Sequence, residues 1–361
     1  MKTVHIPAKR EYDIYIEHGL LDRCGEIIAQ KRAEELFDKN EGEGALLSPG
    51  KLCIVTDKTV ESLYIEELRV SCIAGGFKVC NFVIEGGENS KLMTNAQSLA
   101  EFLGEMGFTK DDLIAGLGGG VVLDLAGFTA SFYREGIDYV QIPTTVTAAL
   151  TSTVSGRSYI NLIEGKNLGG ASIDPLCVIV DPGCFDTLPS DVYHAGLAEA
   201  VKNGIVSDRY LFEGFELGSF DIEESLAKSI AISARYIYVR EEDARLLRLG
   251  YPVANAIQRA SGYEISRGDA LAIGLYVTAN ATGSVKLAER IYRTLALTGL
   301  PWFCDIAKEE ILMQLPLDQS AANGMIDIVV PLRIGECEVR TMTIDEAKEF
   351  LAKGFNEGQI I

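Results

Sequence analysis

The sequence predicts two domains: an α/β domain over residues 1–188, then an all-helical domain over 189–361 broken only by a small hairpin. Three observations predict this. Short apolar runs alternate with amphipathic stretches through the first half, the rhythm of a mostly parallel sheet covered by helices. After "DTLPSD" (186–191) apolar positions recur every three or four residues, from Tyr193 to Leu300. The 361 residues, 47% hydrophobic and 24% charged, are enough for two proper cores.

Taken in order, the N-terminus "MKTVHIPAKREYDIYIEHG" is charged and strand-like. Residues 38–50, "DKNEGEGALLSPG", have the composition of a surface loop. "KLCIVTD" (51–57) is a buried strand and 59–74 a helix. "KVCNFVIEGGE" (78–88) is a strand running into a turn, and 91–107 carries apolar positions at helical spacing. "DLIAGLGGG" (112–120) is a strand ending in glycines, and "DYVQIPTT" (138–145) and "LCVIVDP" (176–182) are further strands. In the second domain, "LRLGYPVANAIQ" (247–258) reads as a short helix starting after Gly250, with Pro252 in its first turn. Residues 324–342 form the hairpin and 344–355 a closing helix.

The formal net charge of −19 repels nucleic acid and anionic membrane surfaces, so neither is an expected partner. An anionic small molecule is still compatible with this charge where Lys and Arg cluster. No apolar run is long enough to span a bilayer, and no signal peptide is expected. The eight cysteines form no C-x-x-C pair, which predicts reduced thiols in a cytoplasmic protein.

Four segments carry candidate chemistry. "GLGGGVVLDLAG" (116–127) places three glycines between a buried strand and an apolar helix. Free N–H groups and the helix dipole there suit a phosphate, although a tight strand-to-helix turn would read the same way. "EGGENSK" (85–91) offers Glu88 and Lys91 after a strand end, against the alternative of a solvated turn. The stretch 143–170 concentrates Thr, Ser, Gly, Arg157, Asn161, Lys166 and Asn167 in what reads as a loop-rich region suited to an anionic ligand. "AGLAEAVKNG" (195–204) sets Glu199 and Lys202 three apart on one face of an apolar helix, a buried site or an ordinary helix-stabilising pair.

In order and over about residues 50–340, these pieces resemble the dehydroquinate synthase family: "GGENSK", "GLGGGVVLDLAGF", "IPTT", "GKNLGG", "DTLPSD", "AGLAEAVKNGI", "RGDALAIGL" and "TGLP". The resemblance implies a nucleotide-binding α/β domain, a helical domain completing a cleft, and a homodimer. It implies NAD and a divalent metal, usually zinc. The implied reaction belongs to the shikimate pathway: a hydroxyl of a sugar-acid phosphate is oxidised, phosphate is eliminated, the ketone is reduced and a carbocycle closes. By motif position it assigns cofactor contacts to Asp57, Glu88, Lys91, Gly119, Gly120, Asp124, Thr144, Thr145, Lys166 and Asn167. Asn161, Lys166 and Lys202 fall on substrate positions.

The metal positions differ. The resemblance implies one Glu and two His as ligands, and Glu199 matches the Glu. The segment Gly-His-x-x-Gly-His-Ala-Ile-Glu is here "GYPVANAIQ", with Tyr251, Asn255 and Gln258 replacing His, His and Glu. His-Gly-Glu is here Arg267-Gly268-Asp269. His5, His18 and His194 match no ligand position, so a Glu-His-His zinc site cannot form from these residues. Only Glu199, Asp269 and Asn255 could offer oxygen to a harder ion, so no divalent metal is expected. Substrate positions differ as well: Thr151, Arg157, Glu135, Ser233 and Asp318-Gln319-Ser320 stand at family Asp, Lys, Arg, Lys and Asp-Lys-Lys.

Three readings follow: the family's own activity, a metal-independent NAD enzyme acting on an anionic polyol or sugar phosphate, or a non-catalytic nucleotide-binding homologue. For the second, Lys202, Arg157, Tyr251 and Arg267 are the candidate catalytic side chains, set against a simply packed, hydrogen-bonded ring for Tyr251. A buried carboxylate needs a cation. Arg267 or Arg248 is therefore expected to approach Glu199 and neutralise it.

Overall fold

The computed structural model describes residues 1–39, 49–163 and 165–355. Most of the expected loop at 38–50 lies outside the described residues. The chain divides into two compact units, Met1–Leu188 and Pro189–Ile361.

The first unit is built on a seven-stranded sheet. Its chain runs β1 (Lys2–Ile6), β2 (Tyr12–Ile16), α1 (Cys24–Lys39), β3 (Lys51–Asp57), α2 (Lys58–Ala74), β4 (Lys78–Ile84), α3 (Met93–Glu105), β5 (Leu113–Gly118) and α4 (Gly120–Phe132). It continues with β6 (Asp138–Pro143), α5 (Val146–Thr151), β7 (Arg157–Leu162), β8 (Gly165–Ser172) and β9 (Cys177–Val180). The sheet order is β1-β2-β9-β6-β5-β3-β4. Within this sheet the edge pair β1–β2 is antiparallel and the other pairings are parallel. The continuous apolar runs of β3, β5 and β9 follow from burial on both faces of a parallel sheet. Leu99, Leu103, Phe108, Leu125, Ala126 and Tyr139 pack the core on one side.

One expectation needs correction. Residues 143–170 are not loop-rich: they form α5 and most of an antiparallel hairpin, β7–β8. The alternation in "RSYINL", with Ser158 and Ile160 buried, is a strand pattern that the many polar residues obscured. Gly127 lets this hairpin touch α4, since a Cβ there would lie 2.1 Å from Ser158 Oγ.

The second unit is helical with one hairpin. It comprises α6 (Ser190–Ser207), α7 (Arg209–Glu216), α8 (Ile222–Ala234), α9 (Tyr251–Ala260), α10 (Arg267–Ala281), α11 (Val285–Leu297) and α12 (Lys308–Met313). The hairpin β10 (Met325–Arg333) and β11 (Glu336–Thr343) follows, and α13 (Ile344–Ala352) closes the unit behind a Thr343/Glu346 capping box. The central helix α6 is buried without interruption from Ala195 to Val206. It approaches α10 so closely that a Cβ on Gly268 would lie 2.0 Å from the Ala195 carbonyl oxygen. Gly250, at φ 78°, starts α9 against α10, where a Cβ on Gly274 would meet the Gly250 carbonyl at 2.3 Å. These small-residue contacts bring α6, α9 and α10 together.

Candidate functional site

In the first unit, the candidate residues gather beyond the carboxyl ends of the parallel strands. This is where ligands bind in open α/β sheets. Asp57 ends β3, the "EGGENSK" turn follows β4, Gly119 and Gly120 follow β5, and Thr144 and Thr145 follow β6. The Thr144 N–H donates to the Gly118 carbonyl at 3.0 Å, tying the last two turns together.

A polar network lies beside them. Lys91 is 5% exposed, and its Nζ donates to Asn167 Oδ1 at 2.7 Å and pairs with Asp124. It also lies 5.9 Å from the centroid of the Tyr159 ring. Asn167, at φ 58°, donates its backbone N–H to Asn161 Oδ1 at 2.9 Å, and Asn161 Nδ2 donates to Glu88 Oε1 at 2.8 Å. Glu88, Lys91, Asp124, Asn161 and Asn167 therefore form one connected group. Burial pushes the Asp124 carboxyl up, and the Lys91 cation only partly offsets it.

Two expected cofactor residues also have structural work. Asp57 Oδ1 accepts from the N–H groups of Thr59 and Val60 as the N-cap of α2, and Thr145 caps α5 through the Ala148 N–H. Arg157 and Lys166 are exposed on the β7–β8 hairpin.

Gly119 and Gly120 are different. Neither has a left-handed φ, and a Cβ on either would meet only Thr145 Cγ2 or Ser152 Oγ at 3.4 Å, ordinary contact. The protein's own packing does not require glycine at either position, and two glycines let another molecule's phosphate come close to the N–H groups at the N-terminus of α4. A phosphate-bearing cofactor fits this cradle.

In the second unit, Glu199 and Lys202 are each 4% exposed. Lys202 Nζ donates to Glu199 Oε2 at 2.7 Å, and the Tyr251 hydroxyl donates to Glu199 Oε1. Arg267 Nη2 donates to the Tyr251 hydroxyl at 2.9 Å. The Tyr251 ring has two cations near it, Lys202 Nζ at 5.1 Å and the Arg267 guanidinium carbon at 5.2 Å from its centroid. Burial pushes Glu199 up, but Lys202 and Arg267, with the two hydrogen bonds, hold it below the usual carboxylate range. Burial would likewise lower Lys202, and Glu199 outweighs it and raises the ammonium above its ordinary value.

The expectation that Arg267 or Arg248 approaches Glu199 and neutralises it holds for Arg267, whose charge helps to hold Glu199 down, and is corrected for Arg248. Lys202, three residues along the same helix, is already in contact. Arg267 reaches the carboxylate through Tyr251. Arg248 instead pairs with Asp318 at 2.7 Å. Asp318 also accepts from Asn255 Nδ2 at 2.8 Å and from the Ser320 hydroxyl at 2.6 Å. Asn255 therefore holds α9 in place from the side of Asp318. Ser233 accepts from Asn203 Nδ2 at 3.0 Å, and the same amide donates to Ser229 Oγ at 2.7 Å. Sequence reasoning missed Asn203, whose only signal was a polar residue inside an otherwise apolar helix, and it placed Arg248 at Glu199 where the structure has it on Asp318.

These residues do not fit a divalent ion. Both Glu199 oxygens accept from protein donors, and two cations stand nearby. Asp269 accepts from the Ser266 hydroxyl at 2.7 Å, and Asn255 is turned to Asp318. Among the described residues, no group of three or more His, Cys, Asp or Glu side chains could hold a metal.

A parallel α/β unit with a glycine turn at its carboxyl edge, followed by a helical unit with a buried carboxylate–cation cluster, defines the class: the dehydroquinate synthase-like fold. Similarity to known proteins carries this further. Residues 81–195 match the 3-dehydroquinate synthase N-terminal family and residues 196–321 the 3-dehydroquinate synthase C-terminal family. The 3-dehydroquinate synthase of Thermoanaerobacter pseudethanolicus is 34% identical over 361 residues, 95% of this chain and 97% of that protein. The chain belongs to the 3-dehydroquinate synthase family.

Solved structures agree on the fold. A 2-deoxy-scyllo-inosose synthase complexed with carbaglucose-6-phosphate, NAD+ and Co2+ superposes with TM-score 0.80 at 20% identity, covering 98% of this chain and all (100%) of that one. The 2-epi-5-epi-valiolone synthase of Streptomyces hygroscopicus subsp. jinggangensis 5008, with NAD+ and Zn2+ bound, gives TM-score 0.76 at 22% identity, covering 95% and 97%. Both are described with a divalent metal, so the fold gives no support to the expectation of a metal-free protein. That expectation rests on this chain's side chains alone.

Proposed function

We propose that this protein is an NAD-binding enzyme of the family that acts on a small anionic polyol or sugar phosphate, by ancestry a phosphate-eliminating cyclase, without a Glu-His-His zinc centre. The cofactor, when bound, supplies a reversible hydride acceptor. The observation that carries the reading is the Gly119–Gly120 turn at the N-terminus of α4, where the protein's own packing does not require glycine. In this reading the free N–H groups of α4 hold the pyrophosphate. Thr144 and Thr145 border it, Glu88 and Asp57 approach ribose hydroxyls, and Lys91 and Asp124 orient Asn167 towards the ligand. Asn161, Lys166 and Arg157 supply donors and positive charge for the anionic substrate, and Lys202, Tyr251 and Arg267 are the candidate polar groups of the helical unit. A cytoplasmic homodimer belongs to the same proposal.

Calorimetric titration of the purified protein with NAD tests the reading. Wild type should bind NAD. Gly119→Ala and Gly120→Ala should change stability by no more than about 1 kcal/mol yet weaken NAD roughly tenfold or more, because their methyl groups fill ligand space. Absence of NAD binding by wild type would sink the proposal. NAD binding without turnover of any sugar-acid or sugar phosphate, in the presence or absence of chelator, would favour the non-catalytic homologue.

A further inference from the structure

We infer that the chain carries its own fixed positive charge at the position where the family holds a metal ligand: Lys202, Tyr251 and Arg267 together close the Glu199 carboxylate to divalent cations. The inference rests on the family reading for the identity of that position and does not depend on NAD binding.

Three observations carry it. The first is saturation of the carboxylate. Oε2 accepts from Lys202 at 2.7 Å and Oε1 accepts from the Tyr251 hydroxyl, while Glu199 and Lys202 are both 4% exposed. An incoming ion would have to displace a protein donor from whichever carboxylate oxygen it approached. The second is charge. Lys202 and Arg267 both bear on Glu199, and a divalent ion there would add to like charge. The third is that the changes agree with each other. Tyr251 on α9 and Arg267 on α10 replace the two expected imidazoles, and each finds a partner in the other: Arg267 donates to Tyr251, and Tyr251 donates to Glu199. Random loss of two ligands would leave a buried acid facing unrelated side chains. Here the substitutions extend a hydrogen-bonded chain from Glu199 to an exposed guanidinium, whose planar donor set suits such a chain. The locus is rebuilt as a site with an internal cation.

The test is a titration of the full chain with Co2+ alone, followed by visible absorption, with metal content measured after desalting. Wild type should take up no Co2+ at this locus and show no tetrahedral-type bands. The double variant Tyr251→His/Arg267→His restores the nitrogen ligands and should bind one equivalent, and adding Glu199→Gln should abolish that uptake. Arg267 is exposed, so Arg267→His alone is the milder second variant; it should take up Co2+ under conditions where wild type takes up none, and no uptake by this folded variant would count against the inference. One equivalent of Co2+ bound by wild type and lost in Glu199→Gln would overturn the inference. So would a folded double variant that takes up no Co2+. The readout uses neither NAD nor turnover, so failure of NAD to bind and failure of the metal result are told apart.

Discussion

At the scale of single residues, the Glu199–Lys202 pair is an ion pair buried on both sides. Removing one partner of a buried ion pair leaves the other charge uncompensated, at a cost of about 3–5 kcal/mol. Lys202→Met should fall in that range by urea denaturation at neutral pH, towards its lower end because Tyr251 and Arg267 still face Glu199. The sign of the pH dependence follows from the shifts. Glu199 lies below its ordinary 4.5 in the fold, so its contribution is present above 4.5 and lost as pH falls through the depressed value. Lys202 lies above its ordinary 10.5, so its contribution is present below 10.5 and lost as pH rises through the raised value. In Lys202→Met the carboxylate can escape its penalty by taking a proton. The stability gap between variant and wild type should therefore narrow as pH is lowered from neutrality towards 4.5. A gap that is constant with pH would mean that Lys202 acts through packing and not through charge.

At the scale of elements, the close contact between α4 and the β7–β8 hairpin places Asp124 and Asn167 on Lys91. Gly127 permits that contact. A methyl group there would lie 2.1 Å from Ser158 Oγ and 3.1 Å from Tyr139 Cε2. Gly127→Ala should cost roughly 1–3 kcal/mol by thermal or denaturant unfolding, the usual range for overpacking. Gly119→Ala, earlier in the same motif, should cost far less. If the two variants are equally stable, the hairpin is not wedged against α4 as described. The same elements show what was legible in the sequence. The strands of the parallel sheet and the starts of α9 and β10 could be read because burial on two faces, or a glycine before a periodic run, leaves a strong local pattern. The β7–β8 hairpin could not, because its polar alternation resembles a loop until α4 is placed beneath it. The cofactor-side residues of "GGENSK" and "GKNLGG" were named from their motifs. That Lys91 joins Asp124 to Asn167 depends on an approach across 76 residues of chain, which no local pattern records. Lys202 was read as sharing a face with Glu199 but not as its neutralising cation, which the i, i+3 spacing already supplied; Arg267, which was expected there, adds to it through Tyr251.

For the whole molecule, the described helices include none long and apolar enough to cross a membrane. All eight cysteines are free thiols, so stability rests on the two cores and on whatever binds them. A ligand that binds only the folded chain stabilises it by mass action, about 2.7 kcal/mol at a concentration one hundred times its Kd. For a folding unit of this size that corresponds to a rise in Tm of roughly 5–10 °C. Saturating NAD should therefore raise the calorimetric transition by several degrees, and the inference that Lys202, Tyr251 and Arg267 close Glu199 to divalent cations predicts that EDTA leaves it unmoved. The two additives probe the two units separately. A Tm that rises with NAD and ignores EDTA agrees with an intact cofactor cradle in the first unit and a rebuilt metal locus in the second. A Tm that ignores NAD removes the cradle reading. A Tm that falls by several degrees with EDTA and recovers with Zn2+ would show that a divalent ion belongs to the native state, and the Glu199 cluster would have to open to receive it.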